Sequence, residues 1–376
     1  MAKNRFNLVD MLSGSADGEI ILWSLAMRKP QFRINAHDQF VKGLCFANNN
    51  RLAADNIFVS CGGDKKVHLW STSKLKKEYQ EFYSALVDGK GVVGNEGMII
   101  NSTVSPDGPQ NTVRNYNPRA TYVSKHSLTS CDHSYGEDLF ATSGSAVQLW
   151  NYERSTPLLT FEWGVDTVTK LKFNPSMPNL IAAVSVDRSI CLYDIRGNTP
   201  LKKVFMKNKS SAICWNPQEP MNFVVGNENG NLYTFDMRKH EQAKMMHKDH
   251  MGAILDVDFS PTGREFVSGS FDKTIRIFGM DSGRSREIYH TKRMQQVNSV
   301  LYSMDNRMIV SGSEDTNLRI WKAQAAAPMK MLLPREKEAM AQAETLKKRH
   351  KYSAEISKIL RHKHEPALIR KKKNLG

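Results

Sequence analysis

Four groups of residues are of the right types to do chemistry. "HKDH" carries His247 and His250 three positions apart, a pair that could contribute to a metal site. Cys131 and His133 form a Cys-x-His pair, the raw material of a thiolate nucleophile, although no orienting acid lies nearby. Gly89, Gly91 and Gly94 spell G-x-G-x-x-G, but within an Asn/Gly-rich stretch without a strand before it or a helix after it, so a loop is the better reading. Ser, His and Asp recur along the chain, yet no G-x-S-x-G elbow presents a serine as a nucleophile. The expectation is a protein that is not an enzyme, with no cofactor, no metal and no small-molecule substrate.

Two further groups point to binding. "LYDIR" (192–196) and "TFDMR" (234–238) place Asp194 then Arg196, and Asp236 then Arg238, directly after an aromatic residue. Either a local Asp–Arg contact at a surface turn or a pair of partner-docking arginines fits this pattern. Near the C-terminus, Lys347, Lys348, Arg349 and Lys351 form one basic cluster and Arg361 and Lys363 a second; Arg370, Lys371, Lys372 and Lys373 form a third. From Lys322 onward 15 Lys/Arg stand against 5 Asp/Glu, a net +10 out of the chain's +15. Such asymmetry suits contact with nucleic-acid phosphates or an acidic partner. Tyr352 is the one aromatic among these clusters, which argues against base stacking.

The elements that would position these residues follow from a repeat. "LSGSADGEIILW", "VSCGGDKKVHLW", "ATSGSAVQLW", "AVSVDRSICLY", "VVGNENGNLYTF", "VSGSFDKTIRIF" and "VSGSEDTNLRIW" are seven copies of one phrase. They end at Trp23, Trp70, Trp150, Tyr193, Phe235, Phe278 and Trp321, in steps of 47, 80, 43, 42, 43 and 43. Each copy reads as two short strands about a polar turn, with further strands between copies. Four-stranded units at this period are blades, so the expected fold is an all-β, seven-bladed WD-repeat propeller spanning 1–322, with a basic helical region over 323–376. Pro334 can open that helix and Pro366 can end it.

His37, Asp64 and Trp70, and likewise His250, Ser268 and Asp272, are spaced to form buried hydrogen-bond chains that brace a blade; Phe278 lacks the indole N–H to complete the second. The low-hydrophobicity stretch 74–118, and 86–118 in particular, reads as a loop inserted between blades two and three. The first phrase starts so near Met1 that blade one is expected to lack a strand and the last blade its closing strand, as in a truncated product or an alternative start. The five cysteines lack metal-type spacing and read as reduced, buried thiols. No run approaches a membrane span, and "MAKNRFNLVDML" has no signal-peptide core, so neither membrane nor export is expected.

Beyond the repeat, "FEWGVDTV" (161–168), "HKDHMGAILDVDFSPTGREFVSGSFDKTIRIF" (247–278), "SREIYHTKRMQ" (285–295), "LLPRE" (332–336) and "KILRHKHEP" (358–366) resemble the suppressor-of-fibrillarin WD-repeat family, from about Val9 to about Ile369. The resemblance implies a nucleolar, nuclear component of the small-subunit processome, acting with the guide snoRNP on pre-ribosomal RNA. It also implies association with cullin-RING ubiquitin ligases, in which Asp-x-Arg after the blade aromatic contacts the adaptor. Arg196 and Arg238 occupy those positions, with Tyr193 and Phe235 where the family pattern has Trp.

Overall fold

The computed structural model describes residues 1–4, 10–25, 29–47, 56–77, 116–162, 166–197, 199–239, 241–325, and 341, 342 and 345. Two compact units emerge, Met1–Ala323 and Gln324–Gly376.

The first unit is a ring of seven antiparallel sheets. Blade one comprises β1 (Ala2–Lys3), β2 (Asp10–Gly14), β3 (Glu19–Ser24) and β4 (Lys29–Asn35). Blade two comprises β5 (Val41–Phe46), β6 (Ile57–Gly62), β7 (Lys66–Ser71) and β8 (Ala120–Val123). Blade three holds β9 (Ser130–His133), β10 (Leu139–Ser143), β11 (Val147–Asn151) and β12 (Leu159–Phe161). Blade four holds β13 (Val168–Phe173), β14 (Leu180–Ser185), β15 (Ser189–Asp194) and β16 (Pro200–Phe205). Blade five holds β17 (Ser210–Trp215), β18 (Asn222–Asn227), β19 (Asn231–Asp236) and β20 (Met245–Lys248). Blade six holds β21 (Ile254–Phe259), β22 (Glu265–Ser270), β23 (Ile275–Gly279) and β24 (Ser285–Tyr289). Blade seven has three strands among the described residues, β25 (Val297–Tyr302), β26 (Met308–Ser313) and β27 (Leu318–Lys322).

First strands of successive blades touch one another about the axis. Because every blade zigzags outward, the turns between second and third strands lie on the same face as the loops entering each blade. The first-to-second and third-to-fourth connections lie on the opposite face. The recurring aromatic closes the third strand and sits across from the first residues of the second. Phe58 opposes Trp70, Phe140 opposes Trp150, Phe223 opposes Phe235 and Phe266 opposes Phe278. These cross-strand pairs feed apolar clusters at the seams between blades.

Four expectations need correction. Blade one is four-stranded: Ala2 pairs with Leu12 and Lys3 with Met11, and the strand is reduced to two residues rather than lost. The last blade does lack its closing strand, as expected: among the described residues blade seven has three strands. The long insert lies inside blade two rather than between blades, because Ala120–Val123 returns to pair with β7 as the fourth strand. Tyr122 makes that return favourable, burying its ring and donating its hydroxyl to the Tyr152 carbonyl at 2.9 Å. Residues 72–77, partly assigned to that loop, are helical, and 78–115 lie outside the described residues. Of the five free cysteines, Cys214 is only half-buried.

In the second unit Ala341, Gln342 and Thr345 are helical, with the Thr345 hydroxyl donating to the carbonyls of Ala341 and Gln342 at 2.8 and 2.9 Å. The rest of the expected basic helix lies outside the described residues. No helix among the described residues is long and apolar enough to cross a membrane.

Candidate docking surface

β15 and β19 end on Asp194 and Asp236 at the same place in adjacent blades. Each carboxylate folds back on the chain: Asp194 Oδ1 accepts the Arg196 N–H at 3.0 Å, and Asp236 Oδ1 accepts the Arg238 N–H at 2.9 Å. The turns are completed by Gly197 N–H to Asp194 C=O at 3.2 Å and Lys239 N–H to Asp236 C=O at 3.0 Å. These are Asx turns, in which the acid mimics a backbone carbonyl and fixes the direction of the next side chains.

Both arginines are exposed, on the face opposite the blade-entry loops. Their surroundings differ. Arg238 forks onto Asp236 through Nε–Oδ1 at 3.1 Å and Nη2–Oδ2 at 2.8 Å, and this holds the carboxyl below its ordinary value. Arg196 instead donates Nη2 and Nε to the Asn179 carboxamide oxygen at 2.7 and 3.0 Å, in the amide orientation its neighbours require. Arg196 is therefore braced by a neutral group and keeps its charge uncompensated.

Blade three repeats the arrangement in a form the sequence reading missed. Asn151 Oδ1 accepts the Glu153 N–H at 3.4 Å, the Arg154 N–H reaches the Asn151 carbonyl at 3.4 Å, and Arg154 is exposed. The available signal was Asn following Trp150, since Asn and Asp make the same turn. Three consecutive blades thus present an arginine on one face, suited to carboxylates or carbonyls of a partner surface.

The buried histidines among the described residues are structural. In blade two, Asp64 Oδ1 accepts from His37 Nδ1 at 3.1 Å, His37 Nε2 meets Ser60 Oγ at 2.9 Å, and Trp70 Nε1 donates to Ser60 at 3.0 Å. Blade six repeats the chain with His250, Asp272 and Ser268, at 2.9 and 2.7 Å, and ends there because Phe278 has no donor. His37, Asp64 and His68 cluster closely enough to suggest a metal, but Ser60 and Asp64 engage both ring nitrogens of His37, and His68 bonds Thr121 at 3.0 Å. His247 lies between Thr234 Oγ1 and the Ser282 carbonyl, apart from the bonds of His250. Cys131 and His133 are buried on β9, the latter against the Ser134 carbonyl. The Gly89–Gly94 motif lies outside the described residues.

Burial holds His37, His68, His133 and His247 below the ordinary imidazole value, His68 down to about 4. Below pH ~6.5 the unfolded chain binds protons that the folded chain refuses. The stability these groups contribute is complete above that pH and is lost as pH falls toward 4. Against their own desolvation, hydrogen bonds bring Asp187 down to about 2 and hold Asp272 low, so acid loss through these carboxylates begins only below pH ~4. The melting temperature is therefore expected to fall between pH 7 and 5, and His68→Gln to flatten that fall in differential scanning fluorimetry.

The axial channel, about 230 Å³, is lined by charges that join blades. Lys172 reaches Asp132 at 2.9 Å and Lys3 reaches Asp258 at 2.5 Å, while Lys170 pairs with Asp256. The last two pairs each skip a blade, four to six and one to six. Asp132, Asp256 and Asp258 also accept backbone N–H groups of the following blade, from Phe173, Val300 and Tyr302 at 2.8, 3.0 and 2.7 Å. These acids brace the ring.

Lys347, Lys348, Arg349, Lys351, Arg361, Lys363 and Arg370–Lys373 all lie outside the described residues.

Comparison with known proteins gives two kinds of match. A Sof1-like domain matches residues 323–376, and the WD domain, G-beta repeat, matches 28–71, 155–194, 242–279 and 286–322. The chain is 40% identical to the DDB1- and CUL4-associated factor 13 of Xenopus tropicalis, over 98% of this chain and 74% of that protein. It is 38% identical to Protein SOF1 of Saccharomyces cerevisiae, over 99% of this chain and 72% of that one. The Mus musculus DDB1- and CUL4-associated factor 13 is 40% identical, over 98% and 74%.

Proposed function

Because the chain belongs to the Sof1-like WD-repeat family, we propose that it is a non-catalytic scaffold of ribosome biogenesis, required in pre-ribosomal RNA processing for the small subunit. In this reading it works in the nucleus, in the nucleolus, among small-subunit processome proteins and the guide snoRNP, and contacts pre-rRNA. The observation that carries it is the joining of a WD propeller to a Sof1-like segment holding net charge +9. A non-catalytic role agrees with the described histidine chains, whose polar groups are spent on one another.

The three basic clusters of that segment are too polar for a core and suit phosphate contacts, whose counterion release makes binding salt-dependent. Charge reversal at Lys347, Lys348 and Arg349 is expected to weaken co-sedimentation with pre-ribosomal particles, most at low salt, with the difference from the unaltered chain narrowing as salt is raised. The melting temperature of the propeller should stay unchanged. A chain ending at Lys322 that still enters the nucleolus and co-sediments normally would move the function to the propeller alone.

A second reading, substrate receptor of a cullin-RING ubiquitin ligase, is supported by a specific feature. Arg196 and Arg238 stand exposed on one face, and relatives carry the name DDB1- and CUL4-associated factor 13. The two roles can coexist on one chain, since they draw on different residues.

A further inference from the structure

The opposite face of the propeller, where the chain enters each blade, carries a recurring set of residues at a repeated turn. In each of blades two, four and six the turn between second and third strands contains an Asp whose Oδ1 accepts the N–H two residues on: Asp64 to Lys66 at 3.2 Å, Asp187 to Ser189 at 2.9 Å, Asp272 to Thr274 at 2.9 Å. The residue spanned by that bond is left-handed. It is Lys65 with φ 64°, Arg188 with φ 68° and Lys273 with φ 64°. The same position is Gly18 in blade one and Gly230 in blade five, with φ 85° and 79°.

A side chain with a Cβ is disfavoured in this region, and where the first-to-second-strand turns on the other face adopt it, the residues are Asn56, Gly263 and Asn306, types that tolerate it. Blade seven places Thr316 there, so a non-glycine is possible without a charge. Three of the four non-glycine residues at this turn are cations nonetheless. All three are exposed, and none is ion-paired, since Asp187 takes Lys203 and Asp64 takes His37. Backbone bonds on both sides fix their positions, with Lys65 C=O accepting from Ser124 at 2.8 Å and Arg188 C=O from Met206 at 2.8 Å.

The entry loops of the same face add exposed Lys207, Lys292 and Arg293. Exposed acids without an ion-pair partner there are Asp17, Glu162, Asp166 and Glu314, so the face is basic but not uniformly so. Exposed cations without an ion-pair partner, repeated at equivalent turns of alternate blades, place fixed positive charges on one face, which suits a polyanion. We propose that this face is a contact surface for the RNA phosphodiester backbone, with Lys65, Arg188 and Lys273 as fixed phosphate contacts on alternate blades. The inference rests on the RNA-scaffold reading above and adds a second RNA surface to it.

The test uses the full chain and a fluorescent single-stranded oligouridylate, titrated over a range of salt. Four proteins are compared: the unaltered chain; the face variant Lys65→Asn, Arg188→Asn, Lys273→Asn; the tail variant with Lys347, Lys348 and Arg349 each changed to Glu; and both together. Asparagine tolerates the left-handed turn, so the face variant should melt at the same temperature or higher. Its affinity should fall on the order of tenfold, and the slope of log K against log salt should shrink by about 2, at ~0.7 per lost single-strand contact. Lys65→Arg with Lys273→Arg should bind as the unaltered chain does. Full affinity and slope in the face variant, with loss only in the tail variant, overturn the inference and leave the scaffold reading standing. No binding of RNA by the unaltered chain overturns both. Capture of poly-glutamate through these three cations, with RNA affinity unaffected, makes the face a site for an acidic protein and also overturns it.

Discussion

Asp258→Ala is expected to lower the free energy of unfolding by about 2–4 kcal/mol, a large effect for one side chain lining the axial channel. Its carboxylate sits on blade six and joins three others. Oδ2 accepts Lys3 Nζ from blade one at 2.5 Å and the Tyr302 N–H from blade seven at 2.7 Å, and Oδ1 accepts the Cys214 thiol from blade five at 3.8 Å. Removing it strands an interior N–H and leaves an ammonium that is 18% exposed without its counter-charge. The place matters as much as the bonds. Among the described residues no strand joins blades seven and one, and their seam buries four apolar side chains, Met11, Leu25, Leu301 and Val310, against twelve between blades two and three. A ring opens first at its weakest seam, so the lost contact should appear as faster amide exchange in β1 and β25–β27 as well as a lower urea midpoint. Asp258→Asn keeps an acceptor for Tyr302 and should fall between the two. A loss under ~1 kcal/mol would mean that channel water replaces the carboxylate at all its partners.

The ring itself was legible because its determinant is local and repeated. Trp70, Trp150 and Trp321 announce blades since each must close a third strand against a second, which fixes their spacing. Insertion length carries no such information. Nothing between Ser71 and Ala120 says whether the chain has left blade two, and only the pairing of Tyr122 with Val67 shows that it has not. The start failed for a related reason. A two-residue strand, Ala2–Lys3, is too short for alternation to register, and its anchor is an aspartate more than 250 residues away. The Asp-x-Arg turns were visible as a pattern, but their difference was not. That Arg238 is paired and Arg196 is braced by a neutral amide depends on Asn179, which arrives from another strand connection. The left-handed cations escaped notice because "DK" and "DR" are ordinary pairs until φ is known.

The topology separates these features. Third-strand turns bearing Arg154, Arg196 and Arg238 lie on one face of the ring, and second-strand turns bearing Lys65, Arg188 and Lys273 lie on the other. In blade four β15 runs from Ser189 to Asp194, from the Arg188 turn on one face to the Arg196 turn on the other. A disc arranged this way can hold a protein on one side and a polyanion on the other without competition.

Arg196→Ala together with Arg238→Ala should reduce recovery of a cullin-ligase adaptor by on the order of a hundredfold or more, taking each buried interface arginine as worth roughly 2 kcal/mol. The two should not contribute equally. Arg238 already spends its fork on Asp236, so a partner gains from it only what remains after that pair is shared or displaced. Arg196 has given up no charge to Asn179, and its desolvation against a partner carboxylate or carbonyl is fully compensated only in the complex. Arg196→Ala alone should therefore weaken recovery more than Arg238→Ala alone. The melting temperature should stay essentially unchanged in either case, because both guanidinium groups are exposed and the turn-forming bonds are made by the backbone and by Asp194 and Asp236. If Arg154 on the neighbouring blade belongs to the same contact, Arg154→Ala should add a smaller loss, and the oligouridylate affinity should be unmoved by all three. Undiminished adaptor recovery in the double variant would reduce Asp194–Arg196 and Asp236–Arg238 to what their hydrogen bonds already make them, two well-formed surface turns.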